Sequence, residues 1–312
     1  MKSEDPVLFL KIDFENAFNS VRRDRLLRAV QSELTGLYPF IYQCYFKPSC
    51  LFFDGSPLLS AEGVQQGDPL GPLCFSLAIH HLISNLSSEL NMWYLGDGTL
   101  AGKPDVVRSD FEAIIAAQDS LGLKVNINKC EYSVLGSNRE STDAILTSFR
   151  DRHPDAKFVS PDDLSLLGTP LFQNALELDL KARLEGFKST CARLESLDSH
   201  DALFLLKNVF YIPKLLYLLR TSFSYLSPIL KDFDQCMKFS LENITNCNLD
   251  VRTFRQATLP VKFGGLGVRR VGDIFLPAFI ASCSKSAAIK DNGSVKTENS
   301  PISQCIRIGH QT

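Results

Sequence analysis

The sequence predicts an α+β protein, with a strand-bearing first half and a helical second half. Three stretches carry that expectation. Val7-Leu8-Phe9-Leu10-Lys11-Ile12 is an apolar run that ends on Asp13. Met92–Ala101 sets two short apolar runs around Gly96-Asp97-Gly98, the local signature of a β-hairpin with a two-residue turn. From about Glu177 to Asn246, apolar residues such as Leu180, Leu184, Phe187, Cys191 and Leu194 recur at three- and four-residue steps, which is a helical period.

In chain order, the first strand puts Asp13 at its C-terminal edge, where open α/β sheets usually place chemistry. A helix follows, with Asp24 as its expected cap, Leu26, Leu27, Val30 and Leu34 at helical spacing, and Gly36 at its end. Leu51–Ser56 reads as a strand running into a turn. Gly63–Leu73 is a Gly- and Pro-rich loop in which Asp68 can cap the next helix and Pro69 can open it. Leu73, Leu77, Ile79, Leu82, Ile83 and Leu86 carry that helix toward Leu90. After the hairpin, Pro104-Asp105 opens a helix that Gly122 closes. Leu123–Ile127 and Glu131–Leu135 are strand-like and flank Asn128-Lys129, and 136–160 reads as polar loop. Leu203–Leu219 continues the helical half, with a break or kink expected at Pro213. The two Gly in Leu259–Val268 suggest a tight turn. From Ser284 the composition turns polar and small, which predicts disorder.

Composition excludes several classes. The apolar share of 45% and charged share of 22% are those of an ordinary globular protein. No apolar run approaches the length of a membrane span, and the start has no apolar core of a signal peptide. The nine cysteines are odd in number and irregularly spaced, with no Cys-x-x-Cys. They predict reduced thiols in an intracellular protein, nuclear or cytoplasmic, without zinc, membrane or disulfide-linked partners. Charge is divided along the chain. Residues 1–180 hold 15 Lys and Arg against 24 Asp and Glu, while 181–270 hold 14 against 8. The basic segment can contact phosphates; a solvated basic surface accounts for it equally well.

Asp13–Val21 resembles the first catalytic motif of reverse transcriptases. Gly63–Leu73 resembles the second and Tyr94–Gly98 the third, in the style of non-LTR (LINE-type) retrotransposon enzymes. Leu164–Leu171 resembles the family's primer-grip hairpin, and Leu259–Val268 a segment that follows the thumb. The resemblance covers roughly Val7 to Ser282. It implies a ferredoxin-like polymerase palm over 1–160 and a primer-grip hairpin with a helical thumb or connection over 161–275; composition adds a polar, disordered tail over 276–312. Only twelve residues precede Asp13, so the fingers are expected to be largely absent. No endonuclease domain and no Cys/His knuckle is found.

The resemblance also implies site roles. Asp13 and Asp97 are the catalytic carboxylates and would hold Mg²⁺ or Mn²⁺. Lys129 approaches the leaving group as a general acid. Phe14, Phe18, Gln66 and Gly67 bind the nucleotide, with Phe18 as the ring that excludes a 2′-hydroxyl. RNA template, DNA primer and deoxynucleotides are the implied partners. The family writes Tyr-x-Asp-Asp where this chain has Tyr94-Leu95-Gly96-Asp97, so Gly96 stands at a lost ligand position. Losing one preorganised electrostatic group costs roughly 10²–10³ in rate. The expectation is therefore a retrotransposon-derived reverse transcriptase domain with activity lost or severely impaired. The alternatives are a non-catalytic nucleic-acid-binding or interaction module, and a working polymerase completed by another chain.

Overall fold

The computed structural model describes residues 5–136 and 138–291, in two compact units that meet in sequence at Pro161-Asp162. The first unit contains strands β1 (Val7–Asp13), β2 (Ser49–Phe53), β3 (Ser56–Ser60), β4 (Leu90–Tyr94), β5 (Asp97–Gly102), β6 (Glu131–Leu135) and β7 (Lys157–Phe158). Its helices are α1 (Ala17–Ser20), α2 (Arg23–Glu33), α3 (Tyr38–Tyr45), α4 (Gly71–Ser84), α5 (Pro104–Leu121) and α6 (Arg139–Arg152).

The main sheet has the order β4-β5-β1-β6-β7. Strands β1, β5 and β6 pair antiparallel, as do β4 and β5. With the helices between β1 and β4 and helix α5 between β5 and β6, this is the βαββαβ ferredoxin-like arrangement. Period-two alternation sends Leu8, Leu10 and Ile12 into one core, where they meet Leu26, Phe75, Phe111 and Ile114. Helix α5 ends on Gly122 at φ 72°, as its sequence predicts. A separate two-stranded sheet, β2–β3, leaves Phe52 78%, Phe53 72% and Leu59 74% exposed.

Several local expectations change. Asp24 does not cap α2. It sits in the first turn and receives Arg22 Nε at 2.9 Å, while Arg22 occupies the cap. The 123–127 stretch forms only a single bridge, Phe14 to Val125, followed by a 3-10 turn over Ile127–Lys129. The segment expected as loop between 136 and 160 contains α6 and β7. Asn138 starts α6 by accepting from Glu140 N and Ser141 N, and Phe149 fixes it to the core.

The second unit opens with a hairpin, β8 (Ser165–Leu166) and β9 (Thr169–Pro170), turned by Leu167 and Gly168 at φ 48° and 79°. Helices follow: α7 (Gln173–Leu194), α8 (Ser199–Leu205), α9 (Ile212–Thr221), α10 (Ile229–Thr245), α11 (Val251–Ala257) and α12 (Val271–Asp291). Leu180, Leu184, Phe187, Cys191 and Leu194 are buried along one stripe of α7. They pack with Tyr211, Leu215, Leu218, Phe233 and Met237 in a second core.

The break near Pro213 falls just upstream of it. A π-helical stretch, Leu206–Phe210, ends at Tyr211, and Pro213 lies in the first turn of α9. The helical run Ser199–Thr221 is long and apolar enough to cross a membrane by length and composition, which corrects the expectation that no such segment exists. Its Ala202, Leu206, Leu215 and Leu218 are spent on the second core. The disordered tail expected from 276 is corrected in part: α12 continues to Asp291, held at its start by Ile274 and Phe275, which pack on that core. Residues 292–312 lie outside the described residues.

Candidate active site

Strand pairing brings the two carboxylates together. Asp13, the last residue of β1, is the register partner of Asp97, the first residue of β5, across 84 positions of sequence. The hairpin turn is Leu95-Gly96, since Tyr94 pairs with Asp97. Asp97 is therefore fixed on the sheet and is not at the tip of the turn. Leu95 takes φ 57°, a left-handed conformation that a branched side chain adopts only at a cost on the order of 1 kcal/mol.

The electrostatics follow from this pairing. Asp13 Oδ2 is shut off from solvent and, among the described residues, accepts no hydrogen bond. Its nearest cation is Lys129, whose Nζ lies 3.6 Å away. Burial raises the Asp97 pKa above its usual range, and the Asp13 charge raises it further, against Lys11 and Lys129. Beneath the strand end, Cys130 is fully buried and burial pushes its thiol up to about 11.

A cleft of about 600 Å³ opens over the pair. Asp13, Phe14, Phe18, Gln66, Gly67, Gly96 and Asp97 all line it. Lys129 is not among the lining residues and reaches Asp13 from the 3-10 turn. The Phe14 ring is 5% exposed and stacks on Trp93 at 5.8 Å. Phe18 stacks on Phe75 at 5.0 Å and keeps part of its surface open. Gln66 and Gly67 are exposed, and Gly67 has φ 95°, which suits glycine alone.

The loop bearing Gln66 and Gly67 is clamped onto α1. Gly63 N donates to Val21 O at 2.9 Å and Val64 N to Phe18 O at 2.7 Å. A Cβ at Gly63 would collide with Phe18 O, so only glycine fits there. Asp68 does not cap α4, whose cap is Leu70 and whose first turn holds Pro72 instead of Pro69. Its carboxylate takes Leu70 N at 2.9 Å and the Tyr45 hydroxyl, bracing the loop.

Three supporting residues escape the sequence patterns. Arg23 is 8% exposed and donates to Gly63 O at 3.0 Å, Ser60 O at 2.8 Å and Ser60 Oγ at 3.0 Å, tying the loop to the β2–β3 sheet. An Arg in a helix flanked by other basic residues reads as solvated surface. Asn16 turns the chain at φ 46° on the cleft wall. Ala17 faces the hairpin turn: a Cβ built on Gly96 would stand 3.0 Å from Ala17 Cβ.

The donor set suits a hard divalent cation. Asp13 Oδ2 is a buried carboxylate oxygen without a donor, and Asp97 supplies a second carboxylate beside it. Mg²⁺ is commonly held by one or two carboxylates, with water and substrate phosphates completing its shell. Among the described residues no three His, Cys, Asp or Glu side chains come together as a fuller cage.

The sequence profile described as "Reverse transcriptase (RNA-dependent DNA polymerase)" matches residues 2–171. The chain is also 25% identical over 282 residues to the retrotransposable element SLACS 132 kDa protein of Trypanosoma brucei gambiense. That match takes in 84% of this chain but 22% of the relative, so the chain spans about a fifth of that protein's length. Among solved structures, telomerase from Candida tropicalis in complex with a TWJ fragment of telomeric RNA aligns with 99% of the chain and 50% of its own, at 13% identity and a TM-score of 0.46. The corresponding Candida albicans telomerase structure aligns with 98% and 50%, at 11% identity and a TM-score of 0.39. Both likenesses are too distant to carry an argument. The profile match spans more than half of the sequence, and on that ground the chain belongs to the reverse transcriptase (RNA-dependent DNA polymerase) family.

Proposed function

We propose that this chain is a retrotransposon-derived reverse transcriptase domain whose nucleotidyl transfer is lost or severely impaired. The observation that supports it most is the pairing of Asp13 and Asp97 beside a glycine at the position where the family motif has a further carboxylate. On this reading Asp13 and Asp97 hold Mg²⁺ or Mn²⁺, in an intracellular protein that engages RNA template and DNA primer. Phe18 and the exposed backbone at Gly67 form the walls against which a deoxynucleotide would rest, and Gln66 offers it both a donor and an acceptor. Phe14 contributes through the rigidity of its stack on Trp93.

A bound divalent ion would supply the charge that lowers the pKa of a primer 3′-hydroxyl and offsets charge on the leaving oxygens. Two carboxylates, with Gly96 between the strands, give this site fewer ligands than the two-ion arrangement uses. Lys129, with its ammonium near Asp13, is placed to neutralise that carboxylate. In this reading its role as a proton donor to the leaving group is secondary.

The test is primer extension on an RNA template with Mg²⁺ or Mn²⁺. The native chain should give negligible extension. Gly96→Asp alone should recover metal binding poorly, because its Cβ presses on Ala17; Gly96→Asp with Ala17→Gly should bind Mn²⁺ more tightly than either single variant. Robust extension by the native chain that Asp13→Ala abolishes would overturn the proposal.

A further inference from the structure

Within residues 181–270, the surplus of six positive charges is almost wholly local. Residues 251–270 hold five Lys and Arg and no Asp or Glu. Arg183 and Lys188 on α7 are matched by Asp179 and Glu185, each at 2.8 Å. By contrast Arg252, Arg255, Lys262 and Arg269 are exposed, and among the described residues none of them has a carboxylate partner. Arg270, in turn, is paired to Asp273 at 3.1 Å.

Apolar groups are exposed in the same stretch. Phe263 is 65% exposed and Val261 67%, and Lys262 Nζ lies 4.9 Å from the Phe263 ring centroid. The scaffold that displays them is tightly tied. Asp250 caps α11 through Thr253 N at 2.7 Å. The loop folds back on the helix end through Leu266 N to Ala257 O at 3.0 Å and Gly267 N to Leu259 O at 2.8 Å. Ala257 and Val268 anchor it from within, and a Cβ at Gly265 would collide with Leu259 O. A floppy solvated loop needs none of these bonds.

We infer that α11 and the 258–270 loop form a binding surface for single-stranded nucleic acid, with the unpaired cations on its phosphates and the Phe263 ring under a base. Unpaired cations interleaved with an exposed aromatic are what a single strand requires. A duplex keeps its bases stacked away from Phe263 and gains only the charge contacts. The surface needs no metal ion and no chemistry, so it stands whether or not the carboxylate pair is active.

The experiment uses the full chain and fluorescence anisotropy with labelled oligo(dT) and oligo(U), a duplex of equal length, and phosphatidylserine vesicles. Arg252→Gln/Arg255→Gln/Lys262→Gln should weaken single-strand binding at least tenfold. It should also flatten log K against log[salt] by roughly 2, at about 0.7 for each phosphate that the variant no longer neutralises. Phe263→Ala should weaken binding by about tenfold with the slope unchanged, and Phe263→Trp should restore it. Circular dichroism of each variant separates loss of surface from loss of fold. Single-strand affinity unchanged in the triple variant, or lost equally on reversing Lys181 and Arg193, would overturn the inference. So would variants that abolish vesicle binding while leaving oligonucleotides bound, since the surface would then belong to a lipid headgroup.

Discussion

Lys129 holds an ammonium 3.6 Å from an otherwise unpartnered carboxylate oxygen of Asp13. It occupies the charge role that a divalent ion would take there, so the two compete. Lys129→Met should therefore tighten Mn²⁺ binding about two- to several-fold, since a like charge this close repels the ion even though solvent screens the exposed ammonium. Isothermal titration with Mn²⁺ checks this, and weaker binding in the variant would mean that Lys129 helps to organise the site. Both carboxylates were legible in the sequence because a strand end and a hairpin announce themselves by period. Ala17 was not, since its closeness to Gly96 depends on how α1 turns away from β1.

At the level of elements, β1, the β4–β5 hairpin, α5, β6 and α7 follow from apolar periodicity and from Gly122. Helix α6 does not, because Arg139–Arg152 carries few apolar residues and is secured by the Asn138 cap and Phe149. Strand β3 was likewise hidden, its side chains being exposed on both faces. Arg23 links the elements that sequence order separates. Its buried guanidinium bonds to Gly63 and Ser60 and lies over the Tyr45 ring at 5.3 Å. Arg23→Met should leave Gly63 O and Ser60 O without those donors and lower stability by about 1–3 kcal/mol. Urea denaturation measures the loss, and hydrogen exchange should rise at Gly63 and Val64 while that of β1 stays low. Equal exchange across the first unit would show that Arg23 does not localise its effect to the loop.

Across the whole molecule, stability is shared between separate cores in the two units, and the first contains a group that responds to acid. His153 packs against Phe111 and Phe149, each ring 5.0 Å away, with Nε2 buried and unpartnered among the described residues. Burial holds its pKa below 6.5, with Arg152 acting in the same direction and Glu112 against it. Below pH 6.5 the unfolded chain takes up a proton that the folded one resists, so the first unit loses stability as pH falls through that range and keeps it above. Thermal melts at about pH 7.5 and about pH 5 should show a first transition that moves down with acid, and His153→Phe should reduce that movement. An identical acid shift in the variant would place the sensitivity elsewhere.

The exposed β2–β3 sheet offers the protein a surface for self-association. Its two strands keep open edges, and Phe52, Phe53 and Leu59 face water. Sulfate strengthens apolar association, whereas any salt weakens contact between cations and phosphates. Ammonium sulfate therefore acts on this chain in two opposite senses, stripping oligonucleotide from the 251–270 surface while driving the β2–β3 sheets of separate molecules toward precipitation.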